Sequence, residues 1–144
     1  MRFMVIVKAN AETEAGQMPT AEEMAAMGRY NEAMVRAGVT LAGEGLLPSS
    51  KGVRARFGAR GECTIAAGPF AQPEQLIAGF WLIETRSRAE AIEWVKRCPM
   101  RAGAELELRQ VAEAADFPSE VFTPEEAARE ERLREKLQRR AAAR

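Results

Sequence analysis

Gly79-Phe80-Trp81-Leu82-Ile83-Glu84-Thr85 is the strongest strand signal in the chain, and its reading decides the fold. Successive side chains of a strand point to opposite faces. Phe80 and Leu82 therefore share one side, and Trp81 and Ile83 share the other. Both sides are apolar, which is the pattern of a strand covered front and back. Residues 2–8 repeat it: Phe3, Val5 and Val7 point one way, Met4 and Ile6 the other. Two such strands imply a sheet whose middle is buried twice.

The segments around them alternate between helix and strand. Residues 10–19 read as a polar loop. Thr20 opens a helix, with Glu23 three residues on to complete a capping box. Met24, Met27, Asn31, Met34 and Val35 recur at helical spacing, and Gly38 ends the element. Residues 39–42 form a weak second strand. It gives way to Gly43-Glu44-Gly45-Leu46-Leu47-Pro48, where two glycines around a carboxylate indicate a backbone close to something that needs room. Residues 52–57 and 62–66 read as a hairpin turning at 58–61. Arg54 and Arg56 lie on one face of its first arm, the pattern of a solvated edge protected by charge. Ser87 caps the next helix with Glu90 as a second capping box, and Ala91, Ile92 and Val95 form its buried side. Residues 104–110 alternate, with Ala104, Leu106 and Leu108 inward. Thr123, Pro124 and Glu126 begin a last, highly charged helix over about 124–142, to which Leu133 and Leu137 give its one apolar spot.

This order, strand–helix–strand, hairpin, strand–helix–strand, is that of an α+β ferredoxin-like split βαβ sandwich with an inserted hairpin. Residues 1–112 form that domain, and residues 113–144 form a C-terminal extension with the charged helix. The first and third main strands are central in this topology, and they are the two that are apolar on both faces. Two helices cover only one face of the sheet. The other would expose more apolar area than a monomer usually tolerates. A homodimer, sheet against sheet, is the expected cover.

Composition narrows the function. The 144 residues are 47% hydrophobic and 29% charged, neither a disordered nor a membrane composition. Lys+Arg and Asp+Glu are 21 each, so there is no global pull on nucleic acid or on an anionic membrane. No run approaches the roughly 20 apolar residues of a membrane span. The apolar start of the chain is too short for a signal-peptide core, and the expected compartment is the cytoplasm. There is no His, the side chain most used for proton transfer near neutral pH. Cys63 and Cys98 read as two small buried hydrophobes, and no spacing makes a metal site, so neither metal nor cofactor is expected.

Gly43-Glu44-Gly45-Leu46, Ala67-Gly68-Pro69-Phe70-Ala71, Gly79 to Glu84, and Ala91 to Pro99 together resemble the YCII-related proteins of the DGPF type. The likeness runs over about residues 1–112, in the same order and with similar gaps. It implies a dimeric α+β barrel. YCII proteins were proposed to use a His–Asp pair as an acid–base site. This chain departs from that pattern: the motif Asp is replaced by Ala67, and there is no His. What remains of the motif is Gly68-Pro69-Phe70, a backbone shape and an aromatic ring.

Three functions are consistent with these residues. The first is a small-molecule-binding or regulatory dimer, with a pocket drawn from Met27, Tyr30, Met34, Glu44, Leu46, Gly68, Pro69, Phe70, Phe80 and Trp81. The second is an enzyme acting on a small organic substrate. Among its loop-proximal ionisable groups Glu44, Arg54, Arg56, Glu84 and Arg97, it would use Glu44, between glycines and beside apolar residues, as the base. The third is an interaction adaptor that uses the charged terminal helix. Loss of the acid–base pair favours the first.

Overall fold

The computed structural model describes residues 1–143. The chain divides into two compact units, Met1–Val111 and the segment from Ala112 onward.

In the first unit, β1 (Arg2–Lys8), β2 (Thr40–Gly45), β5 (Ile77–Glu84) and β6 (Leu106–Gln110) form an antiparallel sheet in the order β2-β5-β1-β6. The two strands apolar on both faces are the central pair, as the split βαβ topology requires. The hairpin β3 (Val53–Phe57) and β4 (Cys63–Ala67) is inserted between β2 and β5 and forms its own two-stranded sheet. Two longer helices, α2 (Ala21–Arg36) and α3 (Arg88–Lys96), supply the buried side chains that pack on the sheet.

Register sorts the two faces. Phe3 pairs with Ile83 and Val5 with Trp81, and these side chains share one face. Phe3, Val5 and Ile83 are buried there with Tyr30, Met34, Val39, Ala91 and Trp94. Met4 pairs with Leu82 and Ile6 with Phe80 on the opposite face. These four lie outside that core and are only partly buried. Across from Met4 and Ile6 stand Arg109 and Glu107, joined by an ion pair at 3.1 Å. Glu44 stands across from Phe80.

The hairpin has two unlike sides. Arg54 and Arg56 occupy one. Val53, Ala55, Phe57, Cys63, Ile65 and Ala67 occupy the other, all exposed, Phe57 at 80%.

Several local expectations change. The loop over 10–19 contains a short helix, α1 (Ala11–Glu14), because Asn10 and Thr13 cap each other reciprocally. β2 continues through Gly43, Glu44 and Gly45, which ladder with Trp81, Phe80 and Gly79. The room that Gly43 supplies is for Trp81: a Cβ there would lie 2.5 Å from its Cδ1, whereas a Cβ on Gly45 would meet nothing within 4 Å. α2 begins with the expected box between Thr20 and Glu23. It buries Tyr30 and Met34, while Met24 and Val35 stay exposed. α3 buries Ala91 and Trp94, not Ile92. Its box is incomplete: Ser87 accepts from the Glu90 N–H, but the Glu90 carboxylate turns to the backbone and guanidinium of Arg86. That backbone bond leads in holding the Glu90 carboxyl below the usual range. β6 starts at Leu106, because a turn from Arg101 to Ala104 with Gly103 at φ +84° precedes it. Cys63 is exposed and Cys98 partly buried, so Cys63 is no core hydrophobe.

The second unit holds α4 (Pro124–Ala142), which Thr123 caps by accepting from the Glu126 N–H at 3.3 Å. Phe117 and Phe122 pack ring on ring at 5.8 Å, and Arg134 reaches Glu113 at 3.5 Å. Among the described residues, no helix is long and apolar enough to cross a membrane.

Candidate functional site

The residues expected to line one pocket lie in four surroundings. Tyr30, Met34 and Trp81 belong to the core and its margin. Tyr30 donates its hydroxyl to the Trp94 carbonyl at 3.0 Å, and its ring meets Trp81 edge-on at 5.8 Å. Burial pushes the Tyr30 hydroxyl above its ordinary range, so it stays a neutral donor. Trp81 Nε1 donates to Asn31 at 3.0 Å on the exposed rim of the same packing. Cys98 lies beside Tyr30, its thiol pushed up to about 11 by burial.

Gly68, Pro69 and Phe70 form a braced loop. The Gly68–Pro69 bond is cis. Ser49 is the brace: its Oγ donates to the Glu14 carboxylate and accepts from the Phe70 N–H at 3.0 Å. Its own N–H donates to Glu14 at 3.0 Å. A Cβ on Gly68 would overlap the Ser49 carbonyl oxygen. The Arg54 guanidinium covers the Phe70 ring at 4.0 Å from its centroid, a cation–π contact. Arg54 is therefore engaged rather than a free edge charge. Glu14 and Ser49 escaped the sequence reading because their partners are 35 and 21 residues away.

Phe80, Glu44 and Leu46 lie elsewhere. Glu44 and Phe80 face each other on the sheet side opposite the core, and Leu46 prolongs β2 through its N–H bond to Ala78 at 2.8 Å. Glu44 and Leu46 are exposed. Of the other ionisable candidates, Glu84 is exposed and Arg97 stacks over Trp94 at 4.1 Å.

Of the expected residues, Met27 lines a cleft. This cavity of about 440 Å³ lies among the α1 turn, the start of α2 and the 99–104 loop. Met24, Met27, Ala78, Pro99, Met100 and Ala104 give it apolar walls, and Asn10, Thr13, Gln17, Glu12, Glu23 and Arg101 give it polar ones. Its walls thus mix apolar side chains with a few polar and charged ones. Arg101 ties the walls together. Its Nε and Nη2 both bond the Glu23 carboxylate, the second at 2.6 Å, and its Nη1 stands 3.4 Å from Glu12. Glu23 also accepts from the Thr20 N–H at 2.7 Å. These bonds, that from Arg101 foremost, hold the Glu23 carboxyl down at about 2. The same pair raises Arg101 above its ordinary range. Glu23 is thus a fixed ion over the working pH range, not a proton carrier.

The cleft was only half visible in the sequence. Helical spacing marks Met24 and Met27 as one face of α2, and Glu23 is legible as a capping residue. Arg101 lies 78 residues from Glu23, and no local pattern links them. Among the described residues, no group of three or more His, Cys, Asp or Glu is placed to hold a metal ion.

The family model for the YCII-related domain matches residues 1–115. Among solved structures, the chain is similar to 5-chloro-2-hydroxyhydroquinone dehydrochlorinase (TftG) of Burkholderia phenoliruptrix in complex with 2,5-dihydroxybenzoquinone. Identity is 15% and the TM-score 0.41, over 82% of this chain and 100% of that one. No curated protein matches the chain. With four fifths of its length under one family model, the chain belongs to the YCII-related domain family.

Proposed function

We propose that this protein is a homodimer that binds a small organic molecule in the cleft beside Met27. The cleft carries the reading: apolar walls with a few fixed polar groups are what orient a small ligand. The His–Asp proton chemistry proposed for YCII proteins has no counterpart, since the chain has no His and Ala67 stands at the motif Asp. Binding without that chemistry is the reading these residues support best.

A thermal-shift series with small organic metabolites tests it, run on the wild type and on Met27→Trp, which fills the cleft. At least one compound class is expected to raise the wild-type midpoint and leave the variant unmoved. Equal shifts in both proteins, or none in either, would overturn the cleft as the site.

Pairing is the second half of the proposal. Met4, Ile6, Phe80 and Leu82 form a continuous apolar patch on the sheet face that the core leaves aside. A second copy against this patch would bury it, with the Glu107–Arg109 pair at its margin. The same pairing would dry the surroundings of Glu44, which shares that face with Phe80. The position of Glu44 across from Phe80 is what keeps the enzyme reading, with Glu44 as base, beside the binding one. Glu44→Gln separates them: an activity that survives the change does not use Glu44 as its base.

A further inference from the structure

The polar wall of the cleft carries an unequal set of charges. Two carboxylates, Glu12 and Glu23, face one guanidinium, Arg101. Arg101 spends its fork on Glu23, which also takes the Thr20 N–H, so that carboxylate is satisfied by three donors. Among the described residues, the Glu12 carboxylate receives only the remaining Arg101 nitrogen, at 3.4 Å, outside the usual range for a strong charge-assisted bond. Its side chain is 58% exposed. The cleft therefore presents one under-engaged carboxylate next to methionine side chains.

Resting on the cleft reading above, we propose that the ligand class is an organic cation: a protonated amine on a short apolar body, with the ammonium on Glu12 and the body against Met24, Met27 and Met100. An anionic ligand would have to take Arg101 from Glu23, leaving a carboxylate unpaired, or sit beside Glu12 against like charge. A cation does neither. It completes the donor set of Glu12 and leaves the Arg101–Glu23 fork as a rigid wall. Methionine thioethers are polarisable and adapt to bodies of varied outline, so selectivity comes from the charge rather than from shape.

Three probes of equal length test this on the full chain: hexylamine, 1-hexanol and hexanoate, titrated at pH 7 and low salt against protein with labelled methionine methyls. Hexylamine is expected to shift the Met24, Met27 and Met100 methyls and to bind roughly fivefold tighter than hexanol, with hexanoate weakest. The preference is expected to fade as salt screens the pair. In Glu12→Gln, amine and alcohol should become equal, with an unshifted Met34 methyl showing the core intact. Equal binding of amine and alcohol by the wild type, tighter binding of hexanoate, or a preference that persists in Glu12→Gln would overturn the cation proposal while leaving the cleft a site. If none of the probes moves those methyls, the cleft reading itself falls.

Discussion

Gly68 shows how little slack single positions carry. Its Cα faces the Ser49 carbonyl so closely that any side chain must push the two loops apart. Ser49 cannot yield without breaking its bonds to Glu14 and Phe70. Gly68→Ala is therefore expected to cost about 2–3 kcal/mol, read as a lowered urea midpoint at unchanged slope. Gly43, packed under Trp81, was legible as a glycine that makes room; what fills the room was not, because Trp81 comes from another strand. Glu23 carries a second test. Its carboxyl is held near 2 in the folded chain against an ordinary 4.5. A depressed folded value adds stability that is present above the unfolded value and lost as pH falls toward the folded one. Acid unfolding between about pH 4.5 and 2 should be shallower in Glu23→Gln than in the wild type. An unchanged acid limb would show the Arg101 pair to be idle.

Elements were legible where pattern and capping agreed. α2 begins at Thr20 as its box requires, and Thr20→Ala should lower stability by about 1 kcal/mol in denaturant unfolding. The central strands were legible because both faces are apolar over whole runs. On α3 the pattern is legible at Ala91 and Val95 but not at Ile92, whose hydropathy outranks its exposed position, while Trp94 is placed inward by the helix phase and by Tyr30, whose hydroxyl bonds its carbonyl. α1 was missed because four residues offer no periodicity, only the Asn10–Thr13 cap. The hairpin is legible from its turn and its alternating arginines, whereas its opposite, apolar side carries no local signal of where it faces. Phe57 and Ile65 stand in water at 80% and 61% exposure. Phe57→Ser with Ile65→Thr should change the unfolding free energy by no more than about 0.5 kcal/mol per site. A larger loss would mean that this side is covered in solution.

In the first unit, α2 and α3 pack on one side of the sheet, and Met4, Ile6, Phe80 and Leu82 stand on the other, outside that core and partly buried. Topology was recoverable from element order and from the two doubly apolar strands. The cleft was not, because it joins the first turn of α1, the start of α2 and the 99–104 loop, segments with no shared motif. Proposed pairing across the open face links the apolar patch, the partial burial of Met4 and Ile6, and the position of Glu44. Sedimentation equilibrium of the full chain at micromolar concentration decides it, with Leu82→Glu as the companion that charges the patch. The expected result is a particle of twice 15.9 kDa that falls to 15.9 kDa in the variant. A wild-type chain that sediments as a single 15.9 kDa protomer would contradict it.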